Sequence, residues 1–108
     1  MTIEISSKLR KATIADAAQV HEMVSYYAQK GDLLYRPLSE IYETLRDFFV
    51  VREGGKVVAC GALHIYWEDM AEVKSLAVAP EMQGQGLGQA LVRACLAEAG
   101  DLGIPAVF

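Results

Sequence analysis

The sequence predicts an α/β domain built on a mixed, mostly antiparallel sheet, with elements in the order β-α-α-β-β-β-α-β. Three observations carry that expectation. Apolar residues recur at three- and four-residue intervals between Ala15 and Lys30, the spacing of an amphipathic helix. Two β-rich runs, "FFVVRE" and "KVVACGALHIYW", are joined by Gly54 and Gly55, a short-range hairpin signal. Finally, the strand-like "VKSLAVAP" passes through Gly84, Gly86 and Gly88 directly into a helical pattern, as a strand–helix–strand crossover would.

Each element has a local reason. "KLRKATI", Lys8 to Ile14, reads as a short first strand. Thr13 then caps a helix over Ala15–Lys30, with Asp16 three positions on as a short variant of the capping box. Ala17, Val20, Val24 and Tyr27 form its apolar stripe, and Gly31 closes it. "LSEIYETLRDF" reads as a second helix capped by Ser39 after Pro37, with Ile41, Leu45 and Phe48 along one side. The hairpin follows, "EDM" turns into the fourth strand "AEVKSLAV", Gly86 to Gly100 form a third helix, and "PAVF" starts a fifth strand. The last crossover is expected to be right-handed, with its strands parallel.

Composition bounds the function classes. At 108 residues the chain is one domain, with 53% hydrophobic and 22% charged residues, enough to order a core. A net charge of −4 gives no general basis for binding nucleic acid or an anionic membrane. Cys60 and Cys95 sit in apolar segments without metal-ligand or redox-pair spacing, and read as reduced core thiols of a cytoplasmic protein rather than a disulfide. Ile3 and Ile5 are interrupted by Glu4 and followed by Lys8, Arg10 and Lys11, which does not make a secretory signal, and no apolar run is long enough to span a bilayer. The closing "GIPAVF" reads as the beginning of a buried strand. A longer chain is therefore expected, with a swapped or partner-completed sheet as the alternative. An open sheet edge is compatible with a homodimer.

The glycines raise the question of a ligand. A P-loop needs Gly-Lys-Ser/Thr entering the helix, and Gly88 is followed by Gln89 and Ala90. The dinucleotide fingerprint needs a glycine where Gln89 stands. What remains is Gln83-x-x-Gly86-x-Gly88 between a strand and a helix. A tight turn normally needs one glycine, and each glycine in a helix costs roughly 1 kcal/mol against alanine. Backbone N–H groups that approach a phosphate at a helix N-terminus account for the rest.

"SLAVAPEMQGQGLGQALV" resembles the acyl-CoA-binding signature of the GCN5-related N-acetyltransferases, Arg/Gln-x-x-Gly-x-Gly/Ala, and the element order also matches that family. The resemblance implies an acyl-CoA N-acyltransferase fold over residues 1–108, without the family's C-terminal helix and strands, and acetyl-CoA as cosubstrate with no metal. It implies that Gln83, Gly84, Gln85, Gly86, Leu87, Gly88 and Gln89 hold the pyrophosphate. Leu76, Ala77 and Val78 would pair with the pantetheine arm and present an N–H to the thioester oxygen, where charge develops on attack.

An acceptor amine two pKa units above ambient pH costs roughly 2.7 kcal/mol to deprotonate, which a cleft carboxylate offsets. Glu72 is the expected base, placed by strand alternation on the same face as Lys74, Leu76 and Val78. Glu68 and Asp69 on the preceding turn are the alternatives, and a solvated strand-start carboxylate is the bland one. The family's tyrosine general acid falls beyond Phe108.

Residues Gly31 to Val78 are also similar to the acetyltransferase domain of N-acetylglutamate synthases and their single-domain relatives, which implies an amino-acid acceptor, glutamate, and a place in arginine biosynthesis. Arg36 would clamp a carboxylate in bidentate fashion, and Lys74 would add a second positive charge. Solvated positions are the alternative for both. His64, Tyr66 and Trp67 read as packing or pocket wall; His21 has no ligand-spaced partner; Tyr26, Tyr27, Tyr35 and Tyr42 suit cleft, core or rim. Met23, Met70 and Met82 read as gap-fillers. Two other classes compete with the enzyme: a CoA-binding sensor without catalysis, and an interaction module whose glycines serve packing.

Overall fold

The computed structural model describes residues 8–108; Ile3, Glu4 and Ile5, used above in reading the N-terminus, lie outside them. The strands are β1 (Leu9–Lys11), β2 (Phe48–Glu53), β3 (Lys56–Trp67), β4 (Met70–Val78) and β5 (Ala106–Val107). The helices are α1 (Ala17–Gln29), α2 (Leu38–Glu43) and α3 (Leu87–Leu102), in the expected order. The sheet runs β1-β2-β3-β4-β5, antiparallel through β4, with β5 parallel to β4. No helix among the described residues is long and apolar enough to cross a membrane.

Thr13 and Asp16 open a 3-10 turn, Ile14–Asp16, that feeds α1. The Asp16 carboxylate accepts the Thr13 N–H at 2.8 Å and the Thr13 hydroxyl at 3.2 Å, the reach-back half of a capping box. At the other end Gly31 turns left-handed (φ 82°), and the N–H groups of Gly31 and Asp32 donate to Ala28 and Tyr27 carbonyls that would otherwise be orphaned. The β2–β3 turn is made by Gly54 and Gly55 with φ 58° and 78°, the paired positive values of a type I′ hairpin.

α2 departs from expectation. Its N-cap is Pro37 rather than Ser39, and it stops at Glu43. The Thr44 hydroxyl donates to the Glu40 carbonyl at 2.8 Å, and the chain tightens into a 3-10 turn, Leu45–Asp47. Phe48 is buried as the period suggested, but from β2, because the β-branched and aromatic run "FFVV" pairs with β3.

Helices cover both faces of the sheet. On one face Ala17, Val20 and Val24 of α1 and Ile41 of α2 pack with Phe48, Val50, Cys60, Ala62 and Ala77. On the other, Leu87 and Leu91 of α3 meet Val51 and Ala59, and Cys95 and Ala99 meet Leu63 and Ala71. The two free cysteines are thus buried on opposite faces.

The feature that shapes the site is a β-bulge in β4. Cys60 pairs with Ala77 but Ala62 pairs with Lys74, so Ser75 and Leu76 together oppose Gly61. Ser75 is the only non-glycine with positive φ among the described residues, at 55°. The extra residue corrects the expectation that Glu72, Lys74, Leu76 and Val78 share a face. Glu72 and Lys74 pair with His64 and Ala62 on the α1/α2 face, whereas Leu76 and Val78 pack on the α3 face. A one-residue insertion reverses the alternation of everything after it.

Candidate active site

β5 covers only the first half of β4. Val73 donates its N–H to Phe108 at 2.7 Å and Ala71 accepts that of Phe108 at 3.0 Å. Farther on, the Ala79 N–H donates to Val58 across the sheet at 2.8 Å. Antiparallel backbone groups alternate in direction, so Ala77 also faces β3 while Val78 and Leu76 face the outer edge. Of the three residues expected to meet a pantetheine arm, these two therefore present backbone there. The Val78 carbonyl already accepts the Tyr27 hydroxyl and, at 3.4 Å, the Gln83 side-chain amide.

Beyond β4 the chain makes a 3-10 turn, Pro80–Met82, in which the Gln83 N–H is engaged by Pro80 at 3.4 Å. The N–H groups of the next residues, Gly84 through Gln89, donate to no acceptor among the described residues. They end at the N-terminus of α3, where the dipole adds positive potential. Gly84 and Gly86 are left-handed, with φ 80° and 85°, so the turn itself requires them. Gly88 is helical with ordinary φ, and a Cβ there would have only Val78 Cγ2 nearby, at 4.0 Å. Its bareness leaves open space above the helix start. Unpaired donors, left-handed glycines and that space fit a pyrophosphate, and the donor set would hold it without any side-chain cation.

Two adjoining hollows follow the β4 edge. One, of about 320 Å³, is lined by Tyr27, Leu33, Leu76, Val78, Gln83 and Gly88 among others. The other, of about 620 Å³, is lined by Arg36, Glu40, Tyr66, Glu72, Lys74 and Ser75 among others. Asp32, Leu33 and Leu76 line both, so the Gly88 end of the loop and the carboxylate cleft belong to one groove that meets at Leu76.

In the cleft, the Tyr66 hydroxyl donates to Glu72 at 2.7 Å. This bond raises the Tyr66 pKa first of all, helped by partial desolvation and the Glu72 charge, so Tyr66 stays protonated. Lys74 has neither an ion pair nor a hydrogen bond among the described residues and is half-buried. Arg36 is 4% exposed and largely committed: Nε donates to Glu40 at 2.9 Å, Nη1 to Ser75 Oγ at 2.9 Å and Nη2 to Thr44 Oγ1 at 2.8 Å. Glu68 and Asp69 lie exposed on the β3–β4 turn and do not line the cleft. His64 pairs with Asp47 at 2.8 Å, outside it.

Neither thiol is an activated nucleophile. Burial pushes Cys60 up to about 12 against the opposing charge of Arg36, and burial, aided by Glu98, raises Cys95 to about 11. Among the described residues no three His, Cys, Asp or Glu side chains are grouped to hold a metal ion.

Sequence reasoning missed Asp32, Leu33 and Ser75, and left Tyr27 open between cleft, core and rim. Tyr27 ties α1 to the Val78 carbonyl and to Gln83 at 2.8 Å; Asp32 and Leu33 floor the groove; Ser75 carries the bulge. Tyr27 stood in the helical stripe, which could not decide between packing and the groove lining it takes. A serine with positive φ leaves no mark in the sequence.

The comparisons with known proteins bear on the family and the fold. The sequence model described as the acetyltransferase (GNAT) family matches residues 15–108. An amino-acid acetyltransferase of Mycobacterium tuberculosis is 40% identical over 103 residues, covering 93% of this chain and 59% of its own length. An uncharacterized N-acetyltransferase of Chlorobaculum tepidum is 37% identical, over 93% of this chain and 64% of its own. The chain thus spans about three fifths of the length of these relatives. A crystal structure of an M. tuberculosis protein in complex with CoA superposes with TM-score 0.87 at 39% identity, covering 92% of this chain and 61% of that one. The N-acetylglutamate synthase of Neisseria gonorrhoeae, complexed with coenzyme A and N-acetyl-glutamate, superposes with TM-score 0.85 at 26% identity, over 89% of this chain and 23% of that one. A strand, bulge and glycine loop arranged as above, together with a family match from Ala15 to Phe108, make this chain a member of the acetyltransferase (GNAT) family.

Proposed function

We propose that this chain carries an acetyl-CoA-dependent N-acetyltransferase site whose acceptor is the α-amino group of a small amino acid, glutamate by best fit. The observation that carries it is the continuous groove. One end is lined by Gly88, within the run Gly84 to Gln89 whose N–H groups are free, the other offers Glu72 and Lys74, and the outer-edge backbone of Leu76 and Val78 lies between. When bound, acetyl-CoA supplies a thioester carbonyl that a neutral amine attacks, with the C–S bond breaking and the sulfur leaving as CoA thiolate.

The residues divide the remaining work. The loop donors hold the pyrophosphate, and the Leu76 backbone orients the acyl carbonyl. Glu72 takes the ammonium proton of the acceptor, directly or through a water, with Tyr66 fixing its carboxylate. Lys74 pairs with an acceptor carboxylate. Arg36 keeps one uncommitted N–H on each of Nη1 and Nη2 for a second carboxylate oxygen. A dicarboxylic amino acid uses both cations, and the names of the M. tuberculosis and N. gonorrhoeae relatives support an amino-acid acceptor.

The test is CoA-thiol release from acetyl-CoA by the full-length chain across a panel of amino acids and amines. Glutamate is expected to give the highest kcat/KM. Thiol release with another amine but not glutamate overturns the acceptor. Tight CoA binding with no thiol release from any amine makes the domain a sensor.

A further inference from the structure

We propose that Arg36 is a positioning residue: by holding Ser75 in its left-handed conformation it locks the β4 bulge, and so fixes how the Leu76 backbone meets the acyl group. This rests on the acetyltransferase reading above and adds to Arg36 a role distinct from gripping an acceptor carboxylate.

Ser75 occupies a backbone conformation that disfavours an L-residue, and such a conformation persists only where its surroundings over-determine it. Arg36 supplies that determination. Its Nη1 reaches Ser75 Oγ at 2.9 Å, while Nη2 is fixed by Thr44 Oγ1 and Nε by Glu40, so the donor fork is held from three directions. The guanidinium also lies over the Phe48 ring, 5.2 Å from its centroid. Across the sheet, Gly61 leaves room for the bulge: a Cβ there would stand 3.0 Å from Leu76 Cδ1. If the bulge were flattened, the alternation would carry the Leu76 side chain to the Glu72 face and turn its outer-edge backbone toward β3. The groove would then lose the backbone at the point where its two hollows meet.

Lysine keeps the charge at position 36 but lacks the planar fork that reaches three acceptors. Arg36→Lys and Ser75→Ala are therefore expected to act alike. In the amide NMR spectrum of the ligand-free protein, both should displace or broaden the Gly61, Ser75 and Leu76 resonances. Both should lower kcat roughly two- to tenfold, the worth of one hydrogen bond, and Ser75→Ala, which leaves the Arg36 fork in place for the acceptor, should keep acceptor KM within about twofold. Ser75→Gly, which adopts positive φ freely, should retain most of the activity. Undisturbed amides in both variants overturn the proposal, as does an Arg36→Lys enzyme whose only defect is a raised acceptor KM. Should the wild-type protein release no thiol, the amide spectra still decide the bulge lock while the acetyltransferase reading falls.

Discussion

Tyr66 and Glu72, six residues apart across the tip of the β3–β4 hairpin, are joined hydroxyl to carboxylate at 2.7 Å in the larger hollow of the groove. The contact keeps the phenol protonated and the carboxylate aimed at the cleft. Glu72→Gln should lower kcat by about 10² to 10⁴, the usual worth of a general base, while CoA affinity stays unchanged. Tyr66→Phe should lower kcat only about two- to tenfold, since it removes an orienting bond and leaves the base. Steady-state kinetics beside CoA titration separate the two. Because the Glu72 charge and bond raise the Tyr66 pKa, Glu72→Gln should also move the phenolate absorbance titration to lower pH.

Gly61 faces the bulge at close range. A methyl there meets Leu76 Cδ1 at 3.0 Å and Leu91 Cβ at 3.6 Å, so Leu76 must give way. Gly61→Ala is expected to cost about 1–3 kcal/mol, the range for overpacking a core, and to weaken CoA binding by displacing Leu76. Thermal unfolding and calorimetry of one preparation test both halves. An unchanged Tm would mean that the Leu76 side chain reorients freely.

These two sites also divide what is readable in sequence from what is not. The hairpin was legible because Gly54 and Gly55 are needed at positive φ, and α1 was legible because Ala17, Val20 and Val24 repeat with the helical period. The loop donors were legible for a similar reason: left-handed glycines are chemically marked. The bulge was not, because Ser75 is an ordinary strand residue held in place by Arg36, 39 positions earlier. That single tertiary contact reversed the predicted faces of Leu76 and Val78. It also buried Arg36, expected as a carboxylate clamp with a solvated loop position as the alternative, so that the solvated alternative fails. α2 formed but ended early for a more local reason, since Thr44 bonded back to the Glu40 carbonyl and the strand run after it was stronger than the helical period.

Asp16 gives the fold an acid limit. Its carboxyl is buried, which alone would raise its pKa, but bonds from Arg10, the Thr13 N–H and Arg52 outweigh this and hold it at about 2 against an ordinary 3.8. A depressed folded-state pKa contributes stability that is present above the unfolded value and lost as pH falls through the folded one. Stability should therefore decline between about pH 4 and pH 2 by on the order of 1–2 kcal/mol from this group, discounted for the part-exposed arginines. In Asp16→Asn, denaturant unfolding followed over that range should show a shallower decline and lower stability at neutral pH. An unchanged slope would show that Arg10 and Arg52 find the same partners in the unfolded chain.

The glycines at 86 and 88 should separate turn geometry from ligand space. Gly86 sits at φ 85°, so Gly86→Ala should destabilise the free protein by about 1–2 kcal/mol whatever binds there. Gly88 has ordinary helical geometry, and its nearest neighbour to a new Cβ is Val78 Cγ2 at 4.0 Å. Gly88→Ala should therefore raise the stability of the free protein, by up to about 1 kcal/mol from helix propensity. If CoA lies over this turn, the same methyl occupies the space its pyrophosphate approaches, and affinity must fall while stability rises. A packing role alone predicts that affinity and stability move together or that affinity does not move. Thermal scans with and without CoA on this single variant decide between them, because saturating ligand should raise the Tm of Gly88→Ala by less than that of the wild type.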